Sequence, residues 1–436
     1  MTPVKTKAWS VLVYLVGDHR APADSLDDAI AAELKAISDA ADFEQISVAV
    51  QVDFRRKGNT IRATITKPPM TSVQGEEPQD SPLARIITDR LRWQRRHPVL
   101  TFGEKVFQQI GRKLRRMVLK VIKRADVNAA SEEVLQEFLR FARKKCPARR
   151  YLIYFFGHAF GPMGLFFDRE TLSRPPKTLR LNDLADAIET GSGHSAIVLF
   201  RDCFMSTLET AVQLKSCADF LLASQAEAPI AGVWPWDRFM GALSADASSL
   251  DVATELAGRL THFLKQDGNR GPFADVPYAV LDLSAASRLI DPLRSLAREL
   301  ESSRADDRRR IACANALERS RIGSPKTPRS PGDPALIDVA TVCSNLEALS
   351  PDPVAEPATR LAAVLPKLVP FAFTLLGRHK GVALYYRPAT KRDRDRSFIE
   401  AADPEDIRQD GLQYQKLALC AQSEWAHFAL DPLAPS

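Results

Sequence analysis

Apolar positions along the chain fall into two rhythms. Short uninterrupted runs rich in β-branched and aromatic residues occur at 10–16, 46–52, 151–156, 196–200, 220–223, 278–281 and 382–386. Such runs read as strands buried on both faces. Between them lie stretches with apolar residues at helical spacing, at 25–38, 206–214 and 285–300. Another follows Ser131, where Glu132 and Glu133 occupy a first turn and Val134, Leu135, Phe138, Leu139 and Ala142 form one face. Strands alternating with helices predict an α/β fold, a mostly parallel sheet covered by helices.

Two segments interrupt this alternation. Residues 67–83 are rich in Pro, Gly, Glu and Ser and read as a surface loop, and residues 321–335 carry four prolines and two glycines and read as a linker. After the first comes a basic stretch. Between Arg85 and Ala125 there are thirteen Lys and Arg against two acids, so this segment more than accounts for the chain's net charge of +6. Within it, residues 105–124, opening on Lys105 and closing on Arg124, set Val106, Phe107, Ile110, Leu114, Met117, Val118, Val121 and Ile122 opposite seven cations. That spacing predicts a basic amphipathic helix suited to an anionic partner or membrane surface, or packed on the body of the protein. Aromatic interleaving is poor, which disfavours nucleic acid. The expected organisation is a core at 8–285 with a basic insertion at 67–126, then a mainly helical region at 286–436 that returns one strand, 381–387, to the sheet.

The 436 residues, 45% of them hydrophobic, supply ample apolar material for a globular core. The first apolar run is too short to span a membrane and lacks a small-residue cleavage site. Six scattered cysteines, at 146, 203, 217, 313, 343 and 420, form no metal-ligand pairs and fit a reducing compartment, so a cytosolic location is expected.

Chemistry is concentrated at two strand ends. The run 151–156 passes into Gly157-His158-Ala159, and 196–200 passes into Arg201-Asp202-Cys203-Phe204-Met205. Residues just beyond the carboxyl ends of parallel strands converge on one crevice. A thiolate is a nucleophile, an adjacent imidazole can activate it and protonate a leaving amine, and backbone amides beside glycine can hold an oxyanion. Taken alone, a strand-terminal His is more often a hydrogen-bonded structural residue, and a Cys after a buried strand more often a small core hydrophobe. His194, in a glycine-rich turn ahead of a strand, belongs at the opposite end of the sheet, and His19 is at most a neighbour of the crevice.

The chain resembles the clostripain family of cysteine peptidases, of the clan that includes caspases, gingipains and separase. The resemblance is carried by Trp9 to Asp18, by Phe-Gly-His158-Ala, by Phe200-Arg-Asp-Cys203-Phe-Met205-Ser206-Thr-Leu-Glu209, and by 219–229 with Trp234-Pro235. It continues in 278–284, 381–388, Trp425 and Phe428. It implies a caspase-like fold and a cysteine endopeptidase with His158 and Cys203 as catalytic dyad, acting on protein or peptide substrates, with Gly157 and Ala159 beside the oxyanion. No metal or organic cofactor is required. Some relatives respond to calcium, but no oxygen-rich loop indicates a site.

Departures from the family pattern bear on specificity. The family cleaves after Arg or Lys through pocket acids, one of them two places before the nucleophile, where this chain has Arg201. A second acid corresponds to Ala231. A cation in the pocket would repel basic substrates, so the usual Arg/Lys preference is not expected; Asp202 or Glu227 are the acids that would restore it. Ala159 replaces a glycine, at a cost if the backbone there is left-handed. The family often cuts itself between His and Cys, which marks Arg174, Lys177 and Arg180 as candidate processing sites or a plain surface turn. The rival reading is a catalytically silent relative that binds a partner through its groove and basic helix.

Overall fold

The structure is a computed structural model. It describes residues 6–17, 26–42, 44–54, 60–66, 118–119, 123–124, 127–166, 178–229, 233–266, 269, 275–322, 333, 335–375, 377, 380–394, 397, 399 and 413–433.

In chain order the strands are β1 (Lys7–Val16), β2 (Ile46–Asp53), β3 (Ile61–Thr66), β4 (Val118–Leu119), β5 (Lys123–Arg124), β6 (Ala148–Phe156), β7 (Ser195–Phe200), β8 (Ala218–Ser224), β9 (Tyr278–Asp282), β10 (Leu336–Asp338), β11 (Phe371–Phe373) and β12 (Ala383–Tyr385). The main sheet runs β11-β9-β8-β7-β6-β1-β2-β3-β4, with β5 also on β3. Its centre, β8-β7-β6-β1-β2, is parallel, and β3, β9 and β11 extend it antiparallel. Strand alternation sorts side chains onto two faces. Val11, Val13 and Leu15 face one core with helices α1 (Asp27–Ala40) and, later in the chain, Trp236–Ala242 and Ser249–Lys265. Leu12, Tyr14 and Val16 face the other with α2 (Glu132–Lys145), α3 (Leu181–Ser192), α4 (Leu208–Leu214) and the C-terminal helices. Each predicted strand is present, and α2 buries Leu135, Phe138, Leu139 and Ala142.

Two expectations are corrected. Strand β12 does not join the main sheet: it pairs antiparallel with β10, and β11 is what returns to the sheet edge beside β9. The predicted basic helix does not run to Arg124, because β4 and β5 within it pair with β3. Residues 105–117 lie outside the described residues. The larger core holds residues from Leu12 to Leu433, drawn from both sides of residue 285. No helix among the described residues is long and apolar enough to cross a membrane.

Candidate active site

Strands β6 and β7 are parallel neighbours in the register Leu152↔Ile197 to Phe155↔Phe200. One further bond, from Arg201 N to Phe155 O at 2.9 Å, carries the pairing past the end of β7. Continued three residues, the same register brings Gly157 level with Asp202 and His158 level with Cys203, on strands separated by about 4.8 Å. Both His158 and Cys203 are partly exposed.

The histidine turn is a tight hairpin. Ala159 bridges Leu165, Phe166 N donates to His158 O at 2.7 Å, and Phe160 N donates to Gly164 O at 2.9 Å. Gly157 is needed for close approach: a Cβ there would stand 2.7 Å from the Phe166 ring. Gly164, at φ +116°, has its missing side chain facing Leu179 O, and so serves the turn. Positive φ falls on Phe166 and Phe204 and not on Ala159, so alanine at 159 bears no left-handed strain.

The cysteine turn is fixed from β8. Phe204 N donates to Ala226 O and Ser206 N to Ser224 O, each at 2.9 Å, and Phe204 takes φ +61°. The Cys203 sulfur accepts the Ala228 N–H at 3.3 Å. Burial pushes the thiol up to about 12, with Ala228 N–H opposing the rise and Glu227 and Asp202 adding to it. Helix α4 begins only at Leu208, and its first turn is capped by Thr207, whose hydroxyl accepts from Thr210 N at 3.1 Å. Asp202 is wholly buried, and burial raises its carboxyl to about 8 against the lowering influence of Gly157 N–H and Arg201. Glu227 is partly exposed and is raised by burial and by Asp333.

Arg201 does not line an open pocket. Its side chain is 0% exposed, as is that of Glu33 on α1, and Nη1 lies 2.7 Å from the Glu33 carboxylate. Its guanidinium stacks over Phe156 and Trp234 at 4.6 and 5.3 Å. The repelling cation expected in the pocket is therefore neutralised by a partner that sequence reasoning missed. Glu33 shares the buried stripe of Ile30, Leu34 and Ile37, a placement that was the only available signal.

Arg180 precedes α3 and is partly exposed. Arg174, Lys177, Ala231 and His19 lie outside the described residues. His194 is exposed at the amino-terminal end of β7, with Nε2 2.7 Å from Asp219, far along the sheet from Cys203.

Residues 113–321 match the model of the clostripain family. That segment, a little under half of the chain and including His158 and Cys203, is clostripain-like. Solved structures share the fold. A secreted C11 cysteine protease from Bacteroides thetaiotaomicron, in complex with an irreversible peptide inhibitor, aligns with TM-score 0.60 at 15% identity, over 96% of this chain and 99% of that one. An inactive zymogen C11 protease from Parabacteroides distasonis aligns with TM-score 0.56 at 16% identity, over 97% and 99%. A second structure of a secreted C11 protease from Bacteroides thetaiotaomicron gives 0.56 at 14% identity, over 97% and 100%. Comparison with curated proteins gave no match. The clostripain-family architecture is thus the expected α/β, caspase-like one. The cytosolic expectation is overturned by the two Bacteroides thetaiotaomicron proteases, both of them secreted; scattered free cysteines do not decide the compartment.

Proposed function

We propose that the protein is a cysteine endopeptidase that hydrolyses peptide bonds through Cys203 and His158. The observation that carries this reading is the shared register that sets the two side chains at the same level beyond adjacent parallel strands. Cys203 attacks the carbonyl to give an acyl-thioester, His158 takes the thiol proton and delivers it to the leaving amine, and water then hydrolyses the thioester. Amides of Ala159 and the Cys203 turn are the oxyanion donors we favour. Gly157 N–H faces the Asp202 carboxyl, and the bridge to Leu165 uses His158 O and Phe160 N, sparing the Ala159 amide.

The specificity reading changes its reason. Arg201 is sealed by Glu33 and repels nothing, but the position two before the nucleophile still lacks the family's acid, and Ala231 supplies none. Among the described residues, Glu227 is the partly exposed acid beside the nucleophile, its carboxyl pushed up by burial and by Asp333. The pocket then favours an uncharged residue before the scissile bond. One observation favours the rival, silent reading: a thiol held at about 12 is not ionised at neutral pH. A tetrapeptide library, run on the wild type, Cys203→Ala and His158→Ala, tests both. Turnover lost in each variant with uncharged residues preferred supports the proposal, dominant cleavage after Arg sinks the specificity, and no turnover with no labelling of Cys203 by a peptidyl electrophile sinks the activity.

A further inference from the structure

Glu33 is a buried carboxylate with four donors. Oε1 accepts Tyr154 OH and Trp236 Nε1, each at 2.7 Å, and Oε2 accepts Arg201 Nη1 at 2.7 Å and Trp234 N at 3.3 Å. These donors come from three places that matter to the dyad. Tyr154 lies on β6, four residues before His158, and Arg201 lies two residues before Cys203. Trp234 and Trp236 lie beyond the segment 226–229, whose Ala228 amide binds the Cys203 sulfur. Arg201 Nη2 also donates to Pro229 O at 3.4 Å, so the ion pair grips the chain on both sides of 230–232.

We infer that Glu33, acting through Arg201, is a positioning residue for the substrate groove: it fixes residues 226–229 and 233–236 against the strands that carry His158 and Cys203. The inference rests on the peptidase reading above. A carboxylate in a dry interior with all four bonds made has one geometry, and a planar guanidinium transmits it without rotational slack. The chemistry at sulfur does not need this group, because no described contact joins Glu33 to Cys203 or His158. Its effect is therefore on how substrate is held.

The test is the double variant Glu33→Met/Arg201→Met, which removes both charges without stranding either, measured on the full chain. With the fold verified by thermal unfolding, the expected result is alkylation of Cys203 by iodoacetamide within about twofold of wild type. On a peptide cleaved by the wild type, KM should rise about tenfold while kcat changes far less. Should the double variant not fold, Trp236→Phe removes one bond from Glu33 and keeps an aromatic ring there, and a KM increase of a few fold, again without loss of alkylation, is expected. An unchanged KM in a folded variant overturns this inference alone, as does a parallel fall in kcat and alkylation. A wild type that cleaves no peptide overturns the peptidase reading and this inference with it.

Discussion

The sulfur of Cys203 sits 3.3 Å from the backbone nitrogen of Ala228, held as a hydrogen-bond acceptor in a pocket that raises the thiol to about 12. In the substrate-free protein the thiolate fraction should then grow about tenfold with each pH unit through the neutral and mildly alkaline range. Iodoacetamide alkylation followed from pH 6 to pH 10 should climb without levelling. A plateau near pH 7 would show a thiol ionised at rest.

Asp202 titrates in the folded protein near pH 8, far above an ordinary aspartate. Between about pH 4 and pH 8 the folded state holds a proton that the unfolded state has released, so stability falls as pH rises across that window and levels off above it. Asp202→Asn cannot ionise and should flatten the slope. Urea midpoints of the two proteins at pH 5 and pH 8.5 measure it: the wild type should lose several kcal/mol that the variant keeps.

Replacing Arg201 by alanine leaves the Glu33 carboxylate buried without its cation. A loss of about 3–5 kcal/mol is expected, because removing one partner of a buried pair strands the other. The double Met variant should be far less destabilised, and chemical denaturation of wild type, Glu33→Met, Arg201→Met and the double variant closes the cycle.

Gly157→Ala drives a methyl group into the Phe166 ring, which stands 2.7 Å from the added carbon. About 1–3 kcal/mol of stability should be lost, and the His158 turn displaced. Phe166→Leu in the same chain should recover part of both; peptidase activity and melting temperature read the outcome.

The core strands were legible because runs such as 151–156 and 196–200 are apolar throughout, as strands buried on both faces must be. Strand β3 was overlooked although Ile61, Ala63 and Ile65 alternate with polar residues, the pattern of a strand with one covered face. The three-residue strands at 336–338 and 371–373 are too short to carry a period, and only tertiary pairing defines them. At the site, His158 and Cys203 were found by their place after strand ends. Glu33 was not: it is separated by 168 residues from Arg201, and an acid within a helix stripe looks no different when its counter-ion arrives from another strand. At 118–119 and 123–124 the expected helix gives way to strand, since helical spacing in the sequence does not stop a backbone from pairing with an open sheet edge.

The shared interior of the two halves bears on what a cut chain would look like. Arg321 bridges Ile337, Ile322 N donates to Leu336 O at 2.9 Å, and Ser206 receives the amide of Ala383 and donates its hydroxyl to Gly381 O. A protease severing the peptide between 322 and 333 would thus release nothing. Denaturing electrophoresis would count two polypeptides where a sizing column counts a single particle, and a nicked preparation would pass for an intact one in any assay that does not first unfold it.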